Sequence, residues 1–124
     1  MKVRNVLIGA ALAALGAAAS ATPTIRTDFL KTLKIKDTSN VARAQCALCH
    51  AGGPPKLNPF GQDLKKAMKA KNARTFTLEV GKQIQNVDSD KDGFSNWAEI
   101  KADTLPGDPK SKPGAAKPSP KKKK

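Results

Sequence analysis

The sequence predicts a small all-α domain with long loops. Apolar residues recur at helical spacing in several stretches, and no stretch alternates apolar and polar residues as a half-buried strand does. The chain has 124 residues, which suits one small domain and leaves little room for a multi-domain enzyme. Only 4% of the residues are aromatic, so the core needs another source of apolar volume or a covalent or metal crosslink.

The first half of the domain is predicted to hold two helices and a loop. The first helix covers residues 25–33, where apolar residues lie on one face and a proline stands near the start. Residues 37–40 form a turn or an N-cap before a second helix over residues 41–50. A Gly-Gly-Pro-Pro run excludes a helix from residues 51–59.

Three further helices are predicted from the same apolar spacing. The third runs from residue 59 or 60 to about residue 71. The fourth follows an N-cap at Thr75 or Thr77 and extends through residues 78–87. A short fifth helix covers residues 97–102.

The N-terminal segment predicts export. A basic start, an apolar run of 14 residues over 6–19 and an Ala-Ser-Ala site indicate a signal peptide over residues 1–21. The run is shorter than the ~20 residues of a spanning helix, which argues against a membrane anchor. We therefore expect a periplasmic or secreted bacterial protein whose domain covers residues 22–109.

The C-terminal segment accounts for much of the positive charge. Residues 110–124 hold seven lysines and no acid, which predicts a disordered tail. Residues 22–109 carry 14 basic and 10 acidic residues, so their net charge is only +4. This modest charge and the predicted export argue against nucleic-acid binding. The tail either serves solubility or docks weakly to an anionic partner or membrane surface.

A Cys-x-x-Cys-His run is the strongest chemical signal. It consists of Cys46, Cys49 and His50. This spacing is the attachment sequence of c-type haem, in which both thiols bond to vinyl groups and the histidine ligates the iron. The second imidazole nitrogen is expected to donate to a carbonyl. Pro54 and Pro55 are candidates for that carbonyl, although the sequence alone does not place it.

A zinc site or a redox-active disulfide fits the cysteine pair less well than haem. Structural zinc usually takes four Cys or His ligands, and the chain has three such residues in total. A redox-active pair predicts the alternating strands and helices of a thioredoxin-like fold. A structural disulfide and a chance match remain as alternatives. Predicted export favours haem, because c-type haem is attached outside the cytoplasm.

The haem motif and the segment after it resemble small monohaem cytochromes c. Residues 44–50 are followed at 55–61 by Pro-Lys-Leu-Asn-Pro-Phe-Gly, and the resemblance covers about residues 29–68. It implies a cytochrome c-like helical fold around one covalent haem, with single-electron transfer as the activity. The distal methionine of that family usually lies farther downstream than any methionine here.

Met68 is the candidate sixth ligand of the iron, since the only other methionine, Met1, belongs to the predicted signal peptide. A methionine on an apolar helix face also suits simple core packing. The alternatives are a five-coordinate iron, a ligand from another chain, or a lysine. The lysines to consider are Lys66, Lys69 and Lys71.

An acidic segment over residues 88–99 matches the twelve-residue calcium loop of an EF-hand. Its predicted ligands stand at loop positions 1, 3, 5, 7, 9 and 12. They are Asp88, Asp90, Asp92, the carbonyl of Phe94, Asn96 (through water) and Glu99, with Gly93 at the sharp turn. A solvated acidic turn is the alternative.

Two features of this segment refine the calcium prediction. Ser95 replaces the aliphatic residue of paired EF-hands, which favours a lone structural site. The segment also resembles single calcium loops that close exported bacterial proteins, some of them small cytochromes. Phe94 and Trp97 are expected to pack in the core.

Together these observations predict an exported monohaem cytochrome c with one structural calcium ion. Its lysines favour an acidic redox partner. The alternative is a haem-based module that binds or senses small ligands at an open sixth position. We expect no enzyme, because the only histidine is assigned to iron, although weak peroxidase-type activity stays an alternative. Asp63 and Glu79 are interpreted as surface carboxylates.

Overall fold

A computed structural model describes residues 24–115, and the helices within this range confirm the all-α prediction. In chain order they are α1 Thr24–Thr32, α2 Asn40–Arg43, a 3₁₀ helix Gln45–Leu48, α3 Pro59–Ala70, α4 Leu78–Ile84 and α5 Asn96–Lys101. The described range contains no strand, only one isolated antiparallel bridge between His50 and Leu57. No helix within it is long and apolar enough to cross a bilayer.

Both predicted terminal segments extend beyond this range. The predicted signal peptide lies entirely outside the described residues. Residues 110–115 of the predicted tail are described and form turns. There the Ser111 hydroxyl accepts a hydrogen bond of 3.0 Å from the Leu105 backbone N–H.

The single helix predicted over residues 41–50 is wrong. The structure divides this segment into α2 and the 3₁₀ helix. Gln45 causes the division, because its φ of 49° is left-handed and cannot continue an α-helix. After the 3₁₀ helix, the backbone N–H groups of Cys49 and His50 both donate to the Cys46 carbonyl, at 3.2 and 2.9 Å.

Three phenylalanines form the centre of the hydrophobic core. The Phe29 ring on α1 meets Phe60 on α3 and Phe76 before α4, with centroids 5.9 and 4.9 Å apart and the rings edge to face. The other buried apolar residues are Leu30, Val41, Ala42, Leu48, Leu64, Ala67, Val80 and Ile84. The core therefore joins α1, the Cys-x-x-Cys turn, α3 and α4.

Side-chain caps fix where the helices begin. Asn58 caps α3, Thr77 caps α4 and Ser95 caps α5, each accepting from a backbone N–H near the start of its helix. Of the two predicted N-caps of α4, Thr77 is therefore the correct one. The Thr75 hydroxyl donates instead to Asp28 on α1. Helix α4 ends at Ile84, three residues before its predicted end.

Gly61 lets α3 lie directly against the Cys-x-x-Cys turn. A β-carbon at this position would overlap the carbonyl oxygen of Cys49. The Cys49 carbonyl is part of the backbone and not the end of a flexible side chain. The overlap can therefore be relieved only by moving the backbone.

We expect Gly61→Ala to destabilise the protein. Alanine gains about 1 kcal/mol of helix propensity over glycine. Overpacking typically costs about 1–3 kcal/mol and is at its worst against backbone, so the net change should lower the free energy of unfolding. Urea unfolding followed by far-UV circular dichroism measures it.

Lys65→Ala on the exposed side of α3 is the matched control, and it should stay within about 0.5 kcal/mol of the unsubstituted protein. If Gly61→Ala proves as stable as this control, α3 does not require the close approach.

Candidate functional site

The predicted haem-binding residues, the Cys motif (residues 46–50), lie together at the start of the loop that precedes α3. Cys46 is exposed, Cys49 is half-buried, and both are free thiols. Burial, and secondarily the proximity of Cys46, raises the pKa of the Cys49 thiol to about 11. Cys49 is therefore a neutral thiol at neutral pH.

The His50 imidazole is held by a backbone carbonyl, as predicted, but by a different one. Its Nδ1 lies 3.2 Å from the carbonyl oxygen of Lys56, so Pro54 and Pro55 are not the partners. The His50–Leu57 bridge and the 2.9 Å bond from Ala51 N–H to the same Lys56 carbonyl fold the loop back. A proton on Nδ1 leaves the lone pair on Nε2, the form in which histidine ligates a metal.

Met68 lies on the inward face of α3 and packs against the hydrophobic core while remaining partly exposed. Phe60 and Leu64 of the same face are buried, as the spacing predicts. Lys66, Lys69 and Lys71 are exposed. The identity of the sixth ligand stays a prediction.

The second candidate site is the acidic loop, residues 88–99, between α4 and α5. Asp88, Asp90 and Asp92 each present a carboxylate oxygen within 4.8 Å of the others. Positive φ angles at Lys91 (62°) and Gly93 (98°) curl the backbone around them. Carboxylate oxygens also accept backbone N–H groups inside the loop, including that of Gly93 on Asp88 at 2.9 Å.

Glu99 is buried in the same loop without a hydrogen-bond partner for its carboxyl group within residues 24–115. Its residue exposure is 0%, and neither carboxylate oxygen has a hydrogen-bond partner within the described residues. One oxygen each of Asp90 and Asp92 is likewise buried and unpartnered. Burying unpaired carboxylates costs several kcal/mol, whereas a bound cation would satisfy all of them.

The burial and mutual repulsion of these acids raise the pKa values of two of them. Burial, followed by repulsion from Asp90, Asp92, Asp88 and Asp108, raises the pKa of Glu99 to about 8. Burial and then Asp92 raise the pKa of Asp90 to about 6.

The remaining predicted loop ligands occupy different environments. Asn96 is fully buried, and its amide donates to the Ile84 carbonyl at 2.8 Å and the Ser89 hydroxyl at 3.0 Å, while its Oδ1 has no partner among the described residues. Phe94 donates its backbone N–H to Asp92. The residue is 37% exposed, so the core packing expected of Phe94 is wrong, whereas Trp97 does pack against the core.

Two acidic residues connect the acidic loop and α5 to the rest of the fold: Asp63, which the sequence suggested only as a surface carboxylate but which is half-buried, and Asp103, which the sequence did not single out. Asp63 on α3 accepts a 2.9 Å hydrogen bond from the Ser89 hydroxyl. Asp103, just after α5, accepts from the Val41 backbone N–H at 3.2 Å and from the Asn40 amide through its carbonyl at 3.2 Å. These contacts join residues 26 and more than 60 positions apart, so no local pattern signals them.

Comparison with known proteins adds no assignment. No protein-family model, no curated protein and no solved structure matches the chain.

The acidic loop generates a prediction about pH. Without a bound cation, Glu99 and Asp90 keep protons in the folded state that the unfolded chain releases near its ordinary pKa values of 4.5 and 3.8. Because the folded state then binds more protons, its stability falls as pH rises through this range. We expect the melting temperature in excess chelator to fall between about pH 5 and about pH 8.

Thermal melts by circular dichroism across this range measure the slope. Glu99→Gln should flatten the slope of the melting temperature with pH. Glu79 is an exposed carboxylate on α4, so Glu79→Gln should leave the slope unchanged. A melting temperature that rises with pH in chelator would contradict the raised pKa values.

Proposed function

We propose that the chain is an exported monohaem cytochrome c that carries single electrons. Cys46 and Cys49 would hold the haem through thioether bonds, and His50 would be the proximal ligand. The observation that supports this most is the contact between His50 Nδ1 and the Lys56 carbonyl. It orients the imidazole and would leave Nε2 to the iron; metal-bound histidines commonly donate their other ring N–H to a carbonyl in this way.

The donor set of the Cys motif fits haem better than the alternatives. Both sulfurs are free, one is exposed, and the histidine that follows is already oriented. The described residues lack the strands that a thioredoxin-like redox site requires. Haem supplies the one-electron chemistry when bound, and the protein supplies attachment, imidazole orientation and solvent exclusion.

We propose that the acidic loop binds one calcium ion. Asp88, Asp90 and Asp92 would each provide one oxygen, Glu99 would provide two, and the Phe94 carbonyl and a water on Asn96 would complete the six to eight ligands that calcium prefers. The buried, unpartnered Glu99 carboxylate is the main support, because a bound calcium ion would explain why an acid is buried at this place.

The calcium ion would have a structural role. Helix α5 carries Glu99, and Asp103 just beyond the C-terminal end of the helix holds the start of α2. A cation on Glu99 would thus hold α5 against the helix that leads into the Cys motif. The exposed lysines on α3 would attract an acidic redox partner.

A second candidate function is small-ligand binding at an open sixth position of the iron. The packing of Met68 against the hydrophobic core supports it, because a thioether engaged in packing is not committed to iron. The reduced protein separates the two functions: carbon monoxide binds rapidly to an open position and is resisted by an iron with six ligands.

We expect the chain, matured in a host that makes c-type cytochromes, to retain haem after extraction with acidified acetone. Its intact mass should increase by one haem, and Cys46→Ser with Cys49→Ser should abolish the increase because both thioether bonds are lost. Mass spectrometry and the visible spectrum measure these results.

A reference cytochrome matured in the same host controls for haem supply. Complete loss of haem from the chain, with the reference intact, would rule out the cytochrome. Calcium binding by the acidic loop would then be the remaining proposal.

We expect calcium to raise the melting temperature by on the order of 10 °C at a concentration about 100-fold above the Kd, because a ligand that binds only the folded state stabilises it by about 2.7 kcal/mol there. Glu99→Gln should remove this response. Glu79→Gln is the matched control and should keep it, since Glu79 lies exposed on α4 beside Lys82.

Chelation should lower the melting temperature again without releasing covalent haem. A melting temperature that is the same in calcium and in chelator would exclude a structural calcium ion.

A further inference from the structure

Asn58 makes an unusual set of contacts between the Cys motif and α3. Its side chain Nδ2 donates to the carbonyls of Ala47 and Leu48, at 3.0 and 3.1 Å. Its Oδ1 accepts from the Gly61 backbone N–H at 2.8 Å, which caps α3. Its own backbone N–H donates to the Cys49 carbonyl at 3.0 Å. The residue is only 7% exposed.

We propose that Asn58 is the positioning residue of the Cys motif, fixing the turn so that the Cys46 and Cys49 sulfurs keep one relative orientation. Ala47 and Leu48 are the two residues between the cysteines, and three successive carbonyls of the turn are therefore held by this one residue. The proposal rests on haem attachment as the function, for which both thiols must meet the same ring.

The backbone packs closely around the Asn58 side chain. Gly107 lies against it so closely that a β-carbon there would come within 2.6 Å of the Asn58 Cγ and Oδ1. Gly61, which donates its backbone N–H to the Asn58 Oδ1, lets α3 approach the Cys49 carbonyl. An amide suits this place because it donates to the turn and accepts from α3 at the same time.

Substitutions at position 58 separate the positioning role from simple capping. Serine and aspartate both cap helices well, so Asn58→Ser and Asn58→Asp keep an acceptor for α3. Aspartate has no donor at neutral pH, and serine has a single O–H on a shorter side chain, so neither replaces the two N–H groups that hold the Ala47 and Leu48 carbonyls. Thr77→Ala, which removes the cap of α4, is the control for a loss of helix stability away from the Cys motif.

The first measurement uses the full chain purified without haem under reducing conditions. Iodoacetamide labelling with peptide mass mapping gives the rate for each cysteine at one pH. Cys46 is exposed and Cys49 half-buried, so Cys46 should react faster in the unsubstituted protein. Both Asn58 variants should raise the Cys49-to-Cys46 rate ratio at least about fivefold, and Thr77→Ala should leave it within about twofold.

The second measurement uses the matured protein. Both Asn58 variants should carry a larger share of haem bonded through a single thioether, seen in the mass after peptide digestion and in the pyridine ferrohaem spectrum. Gly107→Ala should change labelling and attachment in the same direction, because it displaces the Asn58 side chain without altering the motif. If a position-58 variant loses its helical circular dichroism, Gly107→Ala is measured in its place.

The two measurements can overturn the positioning role and the cytochrome proposal independently. Rate ratios in all three variants no higher than in Thr77→Ala would overturn the positioning role. Absence of retained haem in the unsubstituted chain would overturn the cytochrome proposal, while the labelling ratios still decide whether Asn58 fixes the turn.

Discussion

The crowding of carboxyl groups in the acidic loop is the constraint on which the C-terminal third of the structure depends. Glu99 is completely buried beside three aspartates, and its oxygens have no partner among the described residues. A fold that buries such a group must supply a counter-charge, keep the group protonated or accept a cost of several kcal/mol. The loop backbone is curled by its own carboxylates, so the acids converge within the loop. The cation that we propose would convert this unfavourable arrangement into a centre that holds α4 and α5 together.

The acidic loop and the Cys motif are connected by contacts at both ends of α5. On one side Ser89 donates to Asp63 on α3, and α3 begins against the Cys49 carbonyl. On the other side Asp103 accepts from Val41, five residues before Cys46. Gly107 then reaches Asn58 itself. Because the two sites share these elements, binding of the proposed ligand at one site would also stabilise the other, and linkage would make the effect reciprocal.

The parts of this architecture defined by short spacing were predictable, and those made by distant contacts were not. Phe60 and Leu64 revealed the buried face of α3, and the acidic loop follows from acids at alternate positions. The break at Gln45 was missed because a left-handed residue inside an apolar pattern carries no composition signal. Lys56, rather than a neighbouring proline, supplies the His50 carbonyl because the loop folds back on itself. Asn58 looks like an ordinary cap until the two carbonyls it holds are seen in three dimensions.

The same concentration of acids shapes the outer surface. Four of the 10 acidic residues stand within the acidic loop, so the remaining 6 are distributed among 22 basic residues elsewhere in the chain. Among the described lysines of α3, all three are exposed. If the proposed cation neutralises the loop, the remaining surface is net positive, which would draw anionic partners from a distance and weaken as salt is added. The loop would then have two roles: it would close the C-terminal part of the domain and separate the negative charge from the surface that meets the proposed partner.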